Sequence, residues 1–221
     1  MPKPRPKPLR AELTASLSPV PTRQPLPTFS RSWAEHVDRW RSGCGSTECA
    51  GARNVVLGRG SVPCDVAFIG EGPGESEDVI GDPFVGPAGK LLDQIIAEGL
   101  AGVNLTYALG NLVGCIPRDH EQGGKAGEPT KEQVQCCSGR LQDFIALCDR
   151  GNRLKLVVCV GTLARDYLDP EYKKGVKLHR DIPQINITHP AAILRASVVQ
   201  QGMMIQKCVV RLANAVEELA P

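Results

Sequence analysis

The chain has 221 residues, 42% hydrophobic and 23% charged, enough to bury one full core and too apolar to be disordered throughout. A net charge of +2 excludes a function resting on bulk acidity or basicity, and no apolar run approaches the ~20 residues a membrane span requires. Nine cysteines without an export signal point to a reducing, cytoplasmic setting, where cysteines bind metal, react or pack in cores.

The first ten residues, MPKPRPKPLR, carry four basic groups and no acid, with Pro alternating against charge. Such a segment makes neither helix nor ladder. Residues 1–28 are therefore expected to be a flexible basic arm, either following nucleic acid phosphates or merely solubilising, and residues 29–221 a folded domain. Ser30 to Arg41 predicts a short helix in which Trp33, His36, Val37 and Trp40 recur at three- and four-residue steps, both Trp serving as core anchors. Gly43 to Arg53 is a loop holding Cys44 and Cys49, and Asn54 to Leu57 a short strand. Val66 to Ile69 is the first convincing buried strand.

That strand opens the most informative stretch, FIGEGPGESEDVIGDPFVGPAGKLL, from Phe68 to Leu92. An apolar strand empties into a Gly/Pro turn, then acids, then Phe84 held between Pro83 and Gly86, then an amphipathic helix over Gly89 to Leu100. The order places backbone donors, carboxylates and one ring at the carboxyl end of a strand, where open α/β sheets bind ligands. Gly70-x-Gly72-x-Gly74 lacks the later spacing of a dinucleotide fingerprint, and no Gly-Lys-Ser/Thr follows to make a phosphate loop.

Thr106 to Leu109 predicts a second strand running into Gly110-Asn111, and Arg118 to Pro129 a polar, Gly-rich loop containing His120. Thr130 opens a helix, with Gln133 completing a capping box. Leu156 to Val160 is a third strand followed by a short helix, and Gln184 to Ile187 a fourth, ending at Thr188-His189-Pro190. The last helix covers Val199 to Leu219. Strands alternating with helices predict a three-layer α/β/α sandwich around a four-stranded parallel sheet. Glu71, Asn111 and His189 each lie just past an apolar strand, so a parallel sheet brings them to one edge.

The segments GEGPGESED, GDPFVGPAGKLL, GNLVGC and HPAAILR resemble the uracil-DNA glycosylase superfamily, most closely its family-four, iron–sulfur type, over about Cys44 to the C-terminus. The resemblance implies a monomeric DNA-repair glycosylase that flips uracil out of DNA and hydrolyses its N-glycosidic bond. The alternative is a non-catalytic or covalently trapping protein that grips uracil-containing or single-stranded DNA. By resemblance Glu71, Asn111 and His189 are catalytic. Gly70, Gly72, Glu77 and Phe84, with Asn111, bind substrate, Glu77 crowding the space of a thymine methyl. Phe84 offers a face for the extruded ring, and the Asn111 amide can donate to one uracil edge atom and accept from its neighbour. His189 is the candidate donor to the departing base. Leu194 and Arg195 lie in the segment that would enter the duplex, Leu194 filling the vacated stack or, alternatively, packing in the core.

The family's [4Fe–4S] cluster uses four cysteines, whose order Cys44, Cys49, Cys115 and Cys137 fit. Two departures stand out: C-x4-C replaces the usual C-x2-C, and Gly114 precedes Cys115 where relatives tend to have Lys. Cys136 adjoins Cys137 and is the alternative fourth ligand, Cys137 being preferred because Cys-x3-Leu141 resembles the family's register. Zinc on the same thiolates is the rival ligand. Cys64, Cys148, Cys159 and Cys208 read as small core residues.

Overall fold

A computed structural model describes residues 29–49, 51–119, 124–168 and 176–219. The basic arm and His120 lie outside the described residues. The chain order is α1 (Trp33–Trp40), a 3-10 turn (Thr47–Cys49), β1 (Arg59–Gly60), β2 (Val66–Gly70), α2 (Glu75–Ile80), α3 (Pro87–Gly99) and β3 (Tyr107–Asn111). It continues with β4 (Arg118–Asp119), β5 (Lys125–Ala126), α4 (Lys131–Cys148), β6 (Leu156–Val160), α5 (Thr162–Leu168), β7 (Gln184–Ile187), α6 (Pro190–Leu194) and α7 (Val198–Glu217).

The sheet has five strands in the order β1-β3-β2-β6-β7, which corrects the four expected. β3, β2, β6 and β7 are mutually parallel, and β1 pairs antiparallel with β3 at the edge. Asn54 to Leu57 forms no strand. Val56 donates one backbone bond to Gly114 O, and pairing begins only at Arg59. The polar loop after β3 holds a two-residue hairpin, β4–β5, and α2 and α6 join the predicted helices.

β2 and β6 are buried along their whole length, as parallel strands covered on both faces must be. Successive side chains part company at the pleat. Ala67 and Ile69 join a cluster with Val134, Leu141 and Phe144 of α4 and Tyr167 of α5. Val66 and Phe68 join another with Leu92 and Ile95 of α3, Ile193 of α6 and Leu212 of α7. Helices thus pack on both faces of the sheet. Cys64, Cys148, Cys159 and Cys208 are buried within these clusters.

α4 starts where the capping box predicts: Gln133 N–H donates to Thr130 Oγ1 at 3.2 Å, and Thr130 N–H to Gln133 Oε1 at 2.9 Å. α1 docks on α4 through Asp143. Its carboxylate accepts from Ser30 N–H and Oγ, Trp40 Nε1 and Arg39, and meets His36 Nδ1 at 2.7 Å. Burial alone would raise the Asp143 pKa. The hydrogen bonds from His36, Ser30 and Trp40 outweigh it and hold the carboxyl well below the usual range. Trp40 is core, but Trp33 is a half-exposed lid stacked on His36, correcting its expected role as a core anchor.

Candidate active site

β2 and β3 end in register, Gly70 opposite Asn111. A Cβ built on Gly70 would lie 2.5 Å from Asn111 Oδ1 and 2.5 Å from Phe84 Cζ, so only glycine lets the amide and the ring close over this strand end. Asn111 is 3% exposed and Phe84 6%. Among the described residues no protein group bonds the Asn111 side-chain amide, although Arg140 holds its backbone carbonyl. A nearly enclosed amide with its donors and acceptor uncommitted is built to receive a ligand edge.

Phe84 reaches this place through a backbone in the left-handed region, φ +57°, which costs roughly 1–3 kcal/mol for a residue with a side chain. Two opposite charges hold the loop there. Glu77 accepts from Val85 N–H at 3.1 Å, Gly86 N–H at 3.2 Å and Gly74 N–H at 3.2 Å. On the other side Arg59 donates Nε to Pro83 O at 2.8 Å and its Nη2 to Phe84 O and, at 2.6 Å, to Asp93. Glu77, assigned to substrate binding by the resemblance, is in the structure the brace of the ring's loop.

The next strand end builds the other half. Gly161, after β6, has φ +101°, and a Cβ there would lie 2.5 Å from Glu71 Oε1, 3.2 Å from His189 Cβ and 3.3 Å from His189 Cδ2. Glu71 and His189 thus both approach the bare backbone of Gly161. Both line a cavity of about 490 Å³ with Glu128, Thr162, Asn186 and Arg195. Glu71 follows Gly70 directly, so one peptide unit joins the two halves. Gly72 lies beneath Val113 and Pro117, to the side of both.

Burial raises the Glu71 pKa, and the Glu128 carboxylate across the cavity adds to it. Arg195 and the Leu163 N–H pull the other way. Burial lowers the His189 pKa, helped by Arg195 and opposed by Glu77. His189 is also the N-cap of α6: its Nδ1 accepts the Ala191 N–H at 3.2 Å. With Nδ1 committed as acceptor, the neutral ring must carry its proton on Nε2. The result is an uncharged imidazole with one fixed N–H to give.

Arg195 borders the cavity, while Leu194 is 43% exposed, which removes its alternative place in the core. Sequence reasoning missed Glu128, Asn186 and Arg59. Glu128 comes from the loop after the hairpin, pinned by Arg118 to Glu75 (2.9 Å) and Asp78 (3.2 Å) on α2 and by Gly127 N–H to Pro117 O. No local pattern tells such a loop from a solvated one.

The cysteines gather on the other side of β3. Cys44 and Cys115 line one cavity of about 300 Å³. Gly114 N–H meets Cys137 Sγ at 3.5 Å, and Gln133 Nε2 ties Glu48 O, beside Cys49, to the start of α4. The side chain of Cys49 lies outside the described set. Among the described residues no three Cys, His, Asp or Glu groups are placed to hold a metal ion. An iron–sulfur cluster makes a different demand, since its thiolates surround a cube of iron and sulfide instead of a point. Sulfur donors converging from the first loop, the turn after β3 and α4 suit that group.

The family model described as "Uracil DNA glycosylase superfamily" matches residues 57–213. The chain is 31% identical over 156 residues to the type-4 uracil-DNA glycosylase of Archaeoglobus fulgidus, covering 64% of this chain and 72% of that one. It is 31% identical over 150 residues to the type-4 enzyme of Thermotoga maritima, with the same coverage. It is 34% identical over 116 residues to that of Saccharolobus solfataricus, spanning about half of each chain (52% and 49%). The α/β sheet, the site at its strand ends and these matches together show that the chain belongs to the uracil-DNA glycosylase superfamily.

Proposed function

We propose that this chain is a DNA-repair hydrolase that excises uracil from DNA and leaves an abasic site. The reading takes the fold as three layers and the protein as a cytoplasmic monomer. Among the described residues no helix is long and apolar enough to cross a membrane. The observation that carries the proposal is the His189 imidazole, neutral, with its proton confined to Nε2, beside Glu71 over Gly161.

A stacked base cannot be attacked, so uracil must first leave the helix, at a cost of a few kcal/mol. Phe84 would receive the ring on its face and Asn111 would pair with its edge, matching uracil's adjacent acceptor and N–H where cytosine offers the wrong pattern. As the bond from C1′ to N1 lengthens, its electron pair moves onto the base and positive charge grows on the sugar. The His189 Nε2–H would donate to a uracil carbonyl as it gains charge. A neutral donor aimed in advance stabilises that oxyanion without giving up the proton. Glu71 would face the sugar cation and the incoming water. Water's oxygen joins C1′ and one of its protons is released, completing the hydrolysis. Arg195 would meet a phosphate and Leu194 would fill the gap in the stack.

Cys44, Cys49, Cys115 and Cys137 would hold a [4Fe–4S] cluster, which when bound cross-links three separate segments of the chain. A chain that grips uracil-DNA without release, or traps it covalently, is the rival. The described lining beside Glu71 includes Ala126, Gly127 and Glu128. The test is a labelled uracil-containing oligonucleotide incubated with the protein and heated in alkali. Strand scission supports the glycosylase. An intact strand with a shifted native band overturns it in favour of binding, and a band that survives denaturant overturns it in favour of a covalent trap.

A further inference from the structure

Arg140 has no part in the chemistry above, yet it is the largest fully buried side chain, 1% exposed. Its terminal nitrogens go to backbone carbonyls: Nη2 to Asn111 O at 2.5 Å and Leu112 O at 3.1 Å, Nη1 to Leu57 O at 3.4 Å. Its Nε has no hydrogen-bond partner, and no carboxylate among the described residues pairs with it. An interior guanidinium without a paired carboxylate is destabilising. Carbonyl dipoles supply only part of the missing negative charge.

The surroundings of Nε indicate where the rest comes from. A Cβ built on Gly114 would lie 3.0 Å from Arg140 Nε. The N–H of the same Gly114 bonds Cys137 Sγ, and Cys115 is the next residue. Arg140 also follows Cys137 by three positions on α4, which puts the two on one helix face. The orphaned donor therefore lies beside the backbone of Gly114, which is bonded to Cys137 Sγ and precedes Cys115. Four thiolates around a [4Fe–4S] core carry net negative charge.

We propose that Arg140 is the buried counter-charge of the Cys115–Cys137 side of the iron–sulfur centre. Through the carbonyls of Asn111 and Leu112 it is also the positioning residue that holds the Asn111 amide over Gly70. The inference rests on the reading of Cys44, Cys49, Cys115 and Cys137 as cluster ligands. It links the two faces of β3, one side chain answering both to the thiolates and to the base-reading amide. Lysine can replace the charge but lacks the planar fork that reaches three carbonyls.

The experiment uses the full chain purified without oxygen, as wild type, Arg140→Met and Arg140→Lys. Iron and sulfide content, the rate of visible bleaching by an iron chelator, the reduction midpoint and the kcat and KM for uracil- and cytosine-containing DNA are measured. Arg140→Met is expected to bleach about 10–100-fold faster, the usual effect of losing an outer-shell partner. Its midpoint shifts to lower potential, and its preference for uracil over cytosine narrows. Arg140→Lys restores the bleaching rate and midpoint but not the preference. A brown wild type whose folded Arg140→Met variant bleaches, titrates and discriminates identically overturns the role of Arg140 alone. Should Arg140→Met fail to fold, an Arg140→Lys variant that keeps full discrimination overturns it equally. A wild type without iron or sulfide overturns the cluster reading first and this inference with it.

Discussion

Around Gly70 the site is sealed and braced. Phe84 and Asn111 close on each other, Glu77 and Arg59 grip the ring's loop from opposite charges, and Arg140 holds the carbonyl of Asn111 from behind. Around Gly161 it is open: Glu71, His189 and Arg195 border a cavity of about 490 Å³. On the proposed reading the first half would accept a flat ring of fixed hydrogen-bond pattern, and the second would admit sugar, phosphate and water. Recognition and bond cleavage would then be built by different means at strand ends of one sheet.

Substitutions on the two sides should fail differently. The largest loss is expected for His189→Ala, about 10²–10³-fold in single-turnover rate, the range for deleting one preorganised oxyanion donor. Binding of uracil-DNA should persist, and a near-normal rate would remove His189 from the chemistry. Asn111→Ala should remove about 1–3 kcal/mol of transition-state stabilisation, measured as kcat/KM. It should also erase the preference for uracil over cytosine, which His189→Ala leaves intact. If both variants lose discrimination equally, the division into two halves is wrong.

Glu77→Ala frees three backbone N–H groups and the strained Phe84 loop. We expect roughly 1–2 kcal/mol lower stability in denaturant titration, with a raised KM. An unchanged KM would separate the brace from the ring.

The smallest effects are in pH. The His189 pKa lies below the usual 6.5, so on acidification the unfolded chain takes the proton first. The stability His189 contributes is complete above pH 6.5 and is lost as pH falls through its folded pKa. Protonation would also place a hydrogen on Nδ1 against the Ala191 N–H, so activity should fall over the same range. Glu71 runs oppositely. Its pKa is raised above 4.5, so the folded state is penalised as pH rises from 4.5 through the folded value. Glu71→Gln should therefore be slightly more stable than wild type at pH 7 and no more stable well below pH 4.5, by thermal melts at each pH. A gain that persists at low pH would sink this account of Glu71.

The strands VAFI and LVVCV were legible because fully buried parallel strands read as unbroken apolar runs, whereas the half-buried QINI was legible from its alternation. The polar residues at the ends of β2, β3 and β7 then placed Glu71, Asn111 and His189 on one edge from topology alone. Their neighbours were not legible: that Asn111 and Phe84 both approach Gly70, and Glu71 and His189 both approach Gly161, depends on which strand end lies beneath each pair. β1 escaped notice because two edge residues carry no periodicity, and the β4–β5 hairpin because glycine-rich polar sequence looks the same whether or not it pairs. Arg59 and Arg140 were invisible for a deeper reason. Nothing local in a sequence marks which arginine will turn inward, since the carbonyls that recruit it come from distant segments.

Gly70 and Gly161 end adjacent strands, and neither tolerates even a methyl group. At these two strand ends the backbone is therefore already as bare as a polypeptide allows. Attempts to engineer the protein toward bulkier lesions, purines for instance, can gain no depth there. Room must come from the walls, by shortening Phe84 or by rebuilding the loop at Ala126 to Glu128. The first route sacrifices the proposed stacking surface, whereas the second leaves the groups proposed to read uracil untouched.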